Sequence, residues 1–199
     1  MSNSECELDP DRHHLLMALK ATISKALVQI ADLERGYYRD HMLTLARHPS
    51  ETEERMMVRL LAFALNASDA LAFGAGLSTD NEPDLWCKDL TGNIERWIDV
   101  GLPDEKRIRK ACGRAQKVVV YSYGGRAAQL WWKQSADALA RLEKLTVFDL
   151  PQAGTQALAE LADRNMEMRI TIQDGQILIA NDHTSVQLEL AIRQASNAV

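Results

Sequence analysis

One short stretch restricts this chain more than any other. It runs from Pro83-Asp84 through Leu85-Trp86-Cys87-Lys88-Asp89-Leu90, turns at Thr91-Gly92-Asn93, and returns through Ile94 to Asp99-Val100-Gly101. Two alternating apolar runs around a Gly-Asn turn predict a β-hairpin, because Gly and Asn accept the positive φ of tight turns. A two-residue loop at Thr91-Gly92 sets Asp84 directly across from Asp99. A loop at Gly92-Asn93 moves Asp84 by one pair on the same face. A three-residue loop puts the two carboxylates on opposite faces, since side chains alternate along a strand. Two carboxylates on one face at a hairpin's end suit a hard cation.

The neighbouring segments limit the fold. Leu19 to Leu33 and Tyr37 to Ala46 read as two strands around Glu34-Arg35-Gly36, an N-terminal hairpin. A helix is predicted from Ser50 to about Ala67, with Ser50 as N-cap and Glu53 completing a capping box. Ala70 to Leu77 reads as a strand, followed by a polar turn from Ser78 to Pro83 and then the central hairpin. After Leu102-Pro103 a second helix begins at Asp104, with Ile108, Ala111, Cys112 and Ala115 facing inward. Val118 to Tyr121 is an uninterrupted apolar run, as expected of an interior strand. A helix from Arg126 to Lys144, a strand from Thr146 to Leu150 and a helix from Pro151 to Arg164 follow. The chain closes with strands over Met166–Ile172, Gln176–Ala180 and Val186–Ile192, the first two joined by Asp174-Gly175. The C-terminal hairpin is expected to join the N-terminal one in a second sheet. Met1 to Leu16 reads as a disordered extension, and His13-His14 within it as solvated.

The order from Ser50 to Ser122 is helix, three strands, helix, strand, with Glu54 in the first helix, Asp84 opening the second strand and Asp99 ending the third. This resembles the core of the PD-(D/E)xK nuclease superfamily, with Pro83-Asp84 and Asp99 as its acids. Gly101 stands where that motif carries lysine. A closer resemblance is carried by Met17-Ala-Leu-Lys-Ala-Thr-Ile, Leu43-Thr-Leu-Ala-Arg-His-Pro-Ser-Glu-Thr, Glu54-Arg-Met-Met, Gly101-Leu-Pro-Asp and Arg126-Ala-Ala-Gln-Leu-Trp-Trp. Together these are similar to the bacterial YaeQ family. The resemblance implies a cytoplasmic protein and an α/β fold: a mixed sheet with a restriction-endonuclease-like αβββαβ core at about residues 50–122, plus N- and C-terminal β-hairpins, in one domain over residues 17–199. It also implies a link to transcription control.

Two functions follow as expectations. In the first, Glu54, Asp84 and Asp99 bind Mg²⁺ or Mn²⁺ and hydrolyse phosphodiesters, because hard oxygen ligands suit those ions and a bound cation activates water. A basic group from the following helix then replaces the missing lysine. Arg107 and Lys110 are the candidates, with Lys106 beside them. Gln129 and Arg126, after the fourth strand, are further candidates, and a related nuclease group uses glutamine near its site. Glu54 lies on the inward side of its helix start, as either a dipole-compensating acid half in solvent or a member of a buried polar site. In the second function the same cavity binds nucleic acid, a protein partner or a small anion without catalysis. Arg107, Lys110 and Arg114 lie along one flank of the second helix, either as a solvated face or as a ridge that meets phosphates.

Composition excludes other classes. With 23 Lys and Arg against 28 Asp and Glu, the net charge of −5 argues against non-specific coating of nucleic acid. No apolar run approaches the roughly 20 residues of a membrane span. The three cysteines have no zinc-ligand spacing, and no Walker, Rossmann or nucleophile-elbow pattern occurs. A monomer is expected.

Overall fold

The computed structural model describes residues 21–74 and 82–196. The N-terminal extension and most of the Ser78–Pro83 turn therefore lie outside the described residues. Eleven strands and four helices are described, and the strands form two mixed sheets.

The first sheet is built on β1 (Thr22–Asp32) and β2 (Tyr37–Arg47), paired antiparallel over eleven residues without interruption. Against β1 run β8 (Asn165–Gln173) in parallel, then β9 (Gln176–Ala180) and β10 (Ser185–Glu189), giving the order β10-β9-β8-β1-β2. The two terminal hairpins thus share one sheet, as the alternating patterns predict. The second sheet has the order β11-β7-β6-β5-β4-β3, from β3 (Leu71–Phe73), β4 (Leu85–Lys88), β5 (Ile94–Val100), β6 (Ala115–Ser122), β7 (Leu145–Asp149) and β11 (Ala191–Gln194). Its β5, β6 and β7 are parallel, and β3–β4–β5 is an antiparallel meander. The expected strand over Val186–Ile192 is really two. The chain breaks at Leu190, β10 ends the first sheet and β11 closes the edge of the second.

Between the sheets lies α1 (Glu53–Asn66), with α4 (Gln152–Ala159) packed on it. Met56 to Ala64 are all buried, because a helix between two sheets has no solvent side. The same core takes in Val28 and Ile30 of β1, Met168 and Ile170 of β8, and Leu85, Ile98 and Val100 of the second sheet. The far face of the second sheet carries α2 (Glu105–Arg114) and α3 (Arg126–Leu139) over a second core of Trp97, Ile108, Val118, Val120 and Leu139. The α1 cap differs from the sequence expectation. Thr52 is the N-cap, its hydroxyl accepting from Arg55 N at 3.1 Å, while Ser50 bonds His48 and Glu53 is exposed. Both Ser50 and Thr52 are good caps, and the start of the helix is fixed one residue pair later by the burial of Glu51.

Candidate functional site

The central hairpin turns through three residues, Leu90-Thr91-Gly92, with Gly92 at φ 86° and Asp89 N donating to Asn93 O at 3.0 Å. Asp89 caps the turn by accepting from Thr91 and Asn93, and those hydrogen bonds hold its pKa down at about 2. A three-residue loop alone would set Asp84 and Asp99 on opposite faces. A β-bulge corrects the register: Lys88 pairs with Ile94 and Cys87 with Arg96, so Glu95 is the extra residue. Leu85 then faces Ile98, and continuing the register by one pair brings Asp84 across from Asp99.

The two carboxylates nevertheless meet different partners. Along β5, Trp97 and Asp99 point to the α2 layer, while Ile98 and Val100 point to α1. Asp99 is 2% exposed. It accepts from Trp97 Nε1 at 2.9 Å and from Arg107 at both Nη2 (2.7 Å) and Nε (3.1 Å), a bidentate pair. Arg107, in the first turn of α2, also donates to the Glu82 carbonyl at 2.8 Å. Burial pushes the Asp99 pKa up; Arg107 and Trp97 work against that shift, and the Asp84 charge adds to it.

Asp84 stands just before β4 and is 4% exposed. Its Oδ2 accepts from Val100 N at 2.7 Å, and its Oδ1 from Arg55 Nη2 at 2.6 Å. Arg55 in turn donates to Glu51 Oε1 at 2.8 Å, and Arg59 binds Glu51 through Nε and Nη2 at 2.7 and 2.8 Å. Burial opposes the charge of Arg55, but Asp84 and Glu51 more than offset it and raise its pKa. A ladder of alternating charge thus runs from Arg59 through Glu51 and Arg55 to Asp84. Glu54 is half-buried on α1 and accepts from the buried Thr155 hydroxyl of α4 at 2.6 Å. It belongs to the α1 layer, across the sheet from Asp99.

Gly101 has φ 103°, a left-handed conformation that a lysine would adopt only with strain. A Cβ there would come to 4.0 Å from Cε1 of Tyr123, so the tyrosine ring stands beside this glycine. Burial raises the Tyr123 pKa, Arg55 lowers it, and the charges of Glu54, Glu51 and Asp84 raise it, which puts this hydroxyl within the field of the cluster. Of the basic candidates, Arg107 reaches an acid. Lys110 is exposed on α2, and Gln129 and Arg126 are exposed on α3. Among the described residues no three His, Cys, Asp or Glu side chains are grouped closely enough to hold a metal ion.

Sequence reasoning missed Glu51, Arg55 and Arg59. Their signal was a four-residue spacing, which puts an acid and two arginines along one edge of α1 and its lead-in. Four clefts among the described residues, of about 260 to 680 Å³, are lined by residues other than Glu54, Asp84 and Asp99. Among the described residues no helix is long and apolar enough to cross a membrane.

Fold and site together define a two-sheet α/β protein with a carboxylate–arginine cluster at the ends of its central strands. The chain belongs to the YaeQ family, whose model, described as YaeQ protein, matches residues 17–190. It is 47% identical over 178 residues to the YaeQ protein of Salmonella typhi, covering 89% of this chain and 98% of that one. The Escherichia coli YaeQ protein is 46% identical with the same coverage. The crystal structure of the YaeQ protein from Xanthomonas axonopodis pv. citri matches with a TM-score of 0.86 and 54% identity, over 88% of this chain and 99% of that one. That of the YaeQ protein from Pseudomonas syringae matches with a TM-score of 0.85 and 34% identity, over 89% and 98%.

Proposed function

We propose that this chain is a non-catalytic, regulatory binding protein of the cytoplasm, built on a nuclease-like core whose acids have become structural. The nuclease-like part of the reading rests on element order: α1, the β3–β4–β5 meander, α2 and a parallel β6, with Asp84 and Asp99 at the paired ends of β4 and β5. The observation that carries the loss of catalysis is the arginine on each of those acids. Arg107 takes both oxygens of Asp99, and Arg55 takes one oxygen of Asp84 while a backbone amide takes the other. Those lone pairs are the ones a divalent cation would use. Glu51, Asp84 and Asp99 are held by Arg55, Arg59 and Arg107, so three carboxylates face three guanidiniums. A cluster this close to neutral has little excess charge with which to draw in Mg²⁺ or Mn²⁺.

Metal-dependent phosphodiester hydrolysis through Glu54, Asp84 and Asp99 is the outcome that would overturn this reading. The test is incubation of labelled single- and double-stranded DNA and RNA with the full chain in Mg²⁺ or Mn²⁺. The reading expects no cleavage above the level of an Asp84→Ala, Asp99→Ala double variant. Cleavage that disappears in that variant would establish a nuclease.

A further inference from the structure

Three of the four faces of the two sheets are covered. α1 and α4 fill the space between the sheets, and α2 and α3 lie on the far face of the second. No element among the described residues packs on the outer face of the first sheet. On β1 and β2 the inward positions include Ala26, Val28, Ile30 and Leu45, all in the core. The outward positions are therefore the odd residues from Ile23 to Ala31 and the even ones from Tyr38 to Ala46. The solvated face of an antiparallel pair is expected to be polar at these places. Here six of the ten are apolar: Ile23, Leu27, Ala31, Tyr38, Met42 and Ala46. Of the nine large apolar side chains left exposed among the described residues, four (Ile23, Tyr38, Met42 and Leu178) stand on this one face, and Met42 is 79% exposed.

We infer that this face is the contact surface of a homodimer, in which the first sheets of two copies pack face to face about a two-fold axis. Two observations favour a second copy as the occupant. The first is area. With strand lengths of eleven, eleven, nine, five and five residues, a rise of about 3.3 Å and a strand spacing of about 4.8 Å, the face spans about 650 Å². Two such faces bury about 1,300 Å² together, within the roughly 1,200–2,000 Å² of stable interfaces. The second is the placement of charge. Leu27 pairs with Met42, and the two are the middle residues of β1 and β2. A two-fold axis across the strands above this pair lays β1 on β1 and β2 on β2, antiparallel and in full overlap. One outward row to one side stands Lys25 with Thr44, and one row to the other Asp40 with Gln29. The axis exchanges these rows, so Lys25 comes beside Asp40 of the partner subunit, twice, on either side of an apolar centre. Among the described residues neither Lys25 nor Asp40 forms a salt bridge within its own chain, whereas Arg169 on the same face is taken by Asp182 at 3.1 Å. Glu167, beside Leu27 on β8, is set opposite its own copy, the one like-charge meeting of the central row. With Lys25 and Arg169 against Asp40, Glu167 and Glu189, the face has no excess of positive charge to draw in an anionic lipid surface or a nucleic acid.

The test is sedimentation equilibrium of the full chain at up to about 100 μM, a concentration at which interfaces of this size associate. The expected mass is twice the 22.3 kDa of one chain. Met42→Glu should return the protein to the mass of one chain. Leu130→Glu, the same charge placed at an exposed leucine of α3, should leave it dimeric. Lys25→Asp should weaken association at least about tenfold by setting like charges together, and adding Asp40→Lys should restore it. Glu167→Gln should tighten the dimer. Thermal melts show that each variant folds. A monomer at the highest concentration, a dimer that survives Met42→Glu, equal loss in Leu130→Glu, or no recovery in the Lys25→Asp, Asp40→Lys variant would each overturn the inference. So would a chain that stays monomeric until residues 1–16 are removed, which would assign the face to the chain's own N-terminus. The face lies apart from Asp84 and Asp99, so none of these outcomes bears on the account of the acid cluster.

Discussion

Replacing Arg107 by Met should destabilise the protein by leaving the buried Asp99 carboxylate without its guanidinium. The guanidinium supplies two hydrogen bonds to Asp99, at 2.7 and 3.1 Å, and one to the Glu82 carbonyl at 2.8 Å. Without it a carboxylate 2% exposed keeps, among the described residues, the Trp97 N–H. Removing one partner of a buried ion pair typically costs about 3–5 kcal/mol. The Arg107 side chain is 25% exposed, so water can partly replace it, and the lower figure of about 2–3 kcal/mol applies after that discount. For a chain of this size that lowers Tm by roughly 5–10 °C. The pH dependence has a definite sign. Asp99 already titrates above its ordinary 3.8 in the folded protein, and losing Arg107 raises it further. A raised folded pKa gives stability that is present below 3.8 and lost as pH rises through the folded value. The penalty of Arg107→Met should therefore shrink on acidification from pH 7 toward pH 4, and Asp99→Asn should recover part of it at pH 7. Urea unfolding across that range measures both. A loss below about 1 kcal/mol at pH 7, or a penalty that grows on acidification, would refute the buried-pair reasoning.

Three further outcomes follow from individual residues. Gly101→Lys, which introduces the residue that the PD-(D/E)xK motif carries, should destabilise by about 1–2 kcal/mol because of the positive φ and should not create cleavage activity; denaturant unfolding and a nuclease assay read the two effects. Thr52→Ala should cost about 1 kcal/mol as the loss of the α1 cap, and Ser50→Ala no more than a few tenths, so the pair of melts discriminates the two positions. Tyr121 is buried and hydrogen-bonded to Asn66 at 2.7 Å, and burial pushes its pKa to about 12. Its contribution to stability is complete below pH 10 and is lost as pH rises toward 12, so Tyr121→Phe should flatten the alkaline part of the unfolding profile.

The legible parts of the fold are those in which one local signal decides. The β1–β2 hairpin, the Asp174-Gly175 turn and the order of elements from α1 to β6 all follow from period and turn chemistry. The misread parts depend on two signals at once. Ser50 and Thr52 are both competent caps, and burial of Glu51 under Arg59 decides between them. Residues 186–192 have one continuous strand pattern, yet Leu190 lies where the chain crosses from one sheet to the other, which no local period records. The hairpin register combined a three-residue loop with a bulge at Glu95, two irregularities that cancel for Asp84 and Asp99. At the site the acids were visible as acids, and Arg107 as a basic candidate. The role of Arg55 was hidden because its partner Asp84 is 29 residues away in sequence.

The central claim is that arginines, and no cation, complete the sites of Asp84 and Asp99. Calorimetric titration of Mn²⁺ into the full chain, alongside the Asp84→Ala, Asp99→Ala variant, tests it most directly. The account predicts no saturable heat that separates the two proteins. Saturable binding to the natural sequence that vanishes in the variant would contradict it and return the cluster to the class of metal-dependent nuclease sites.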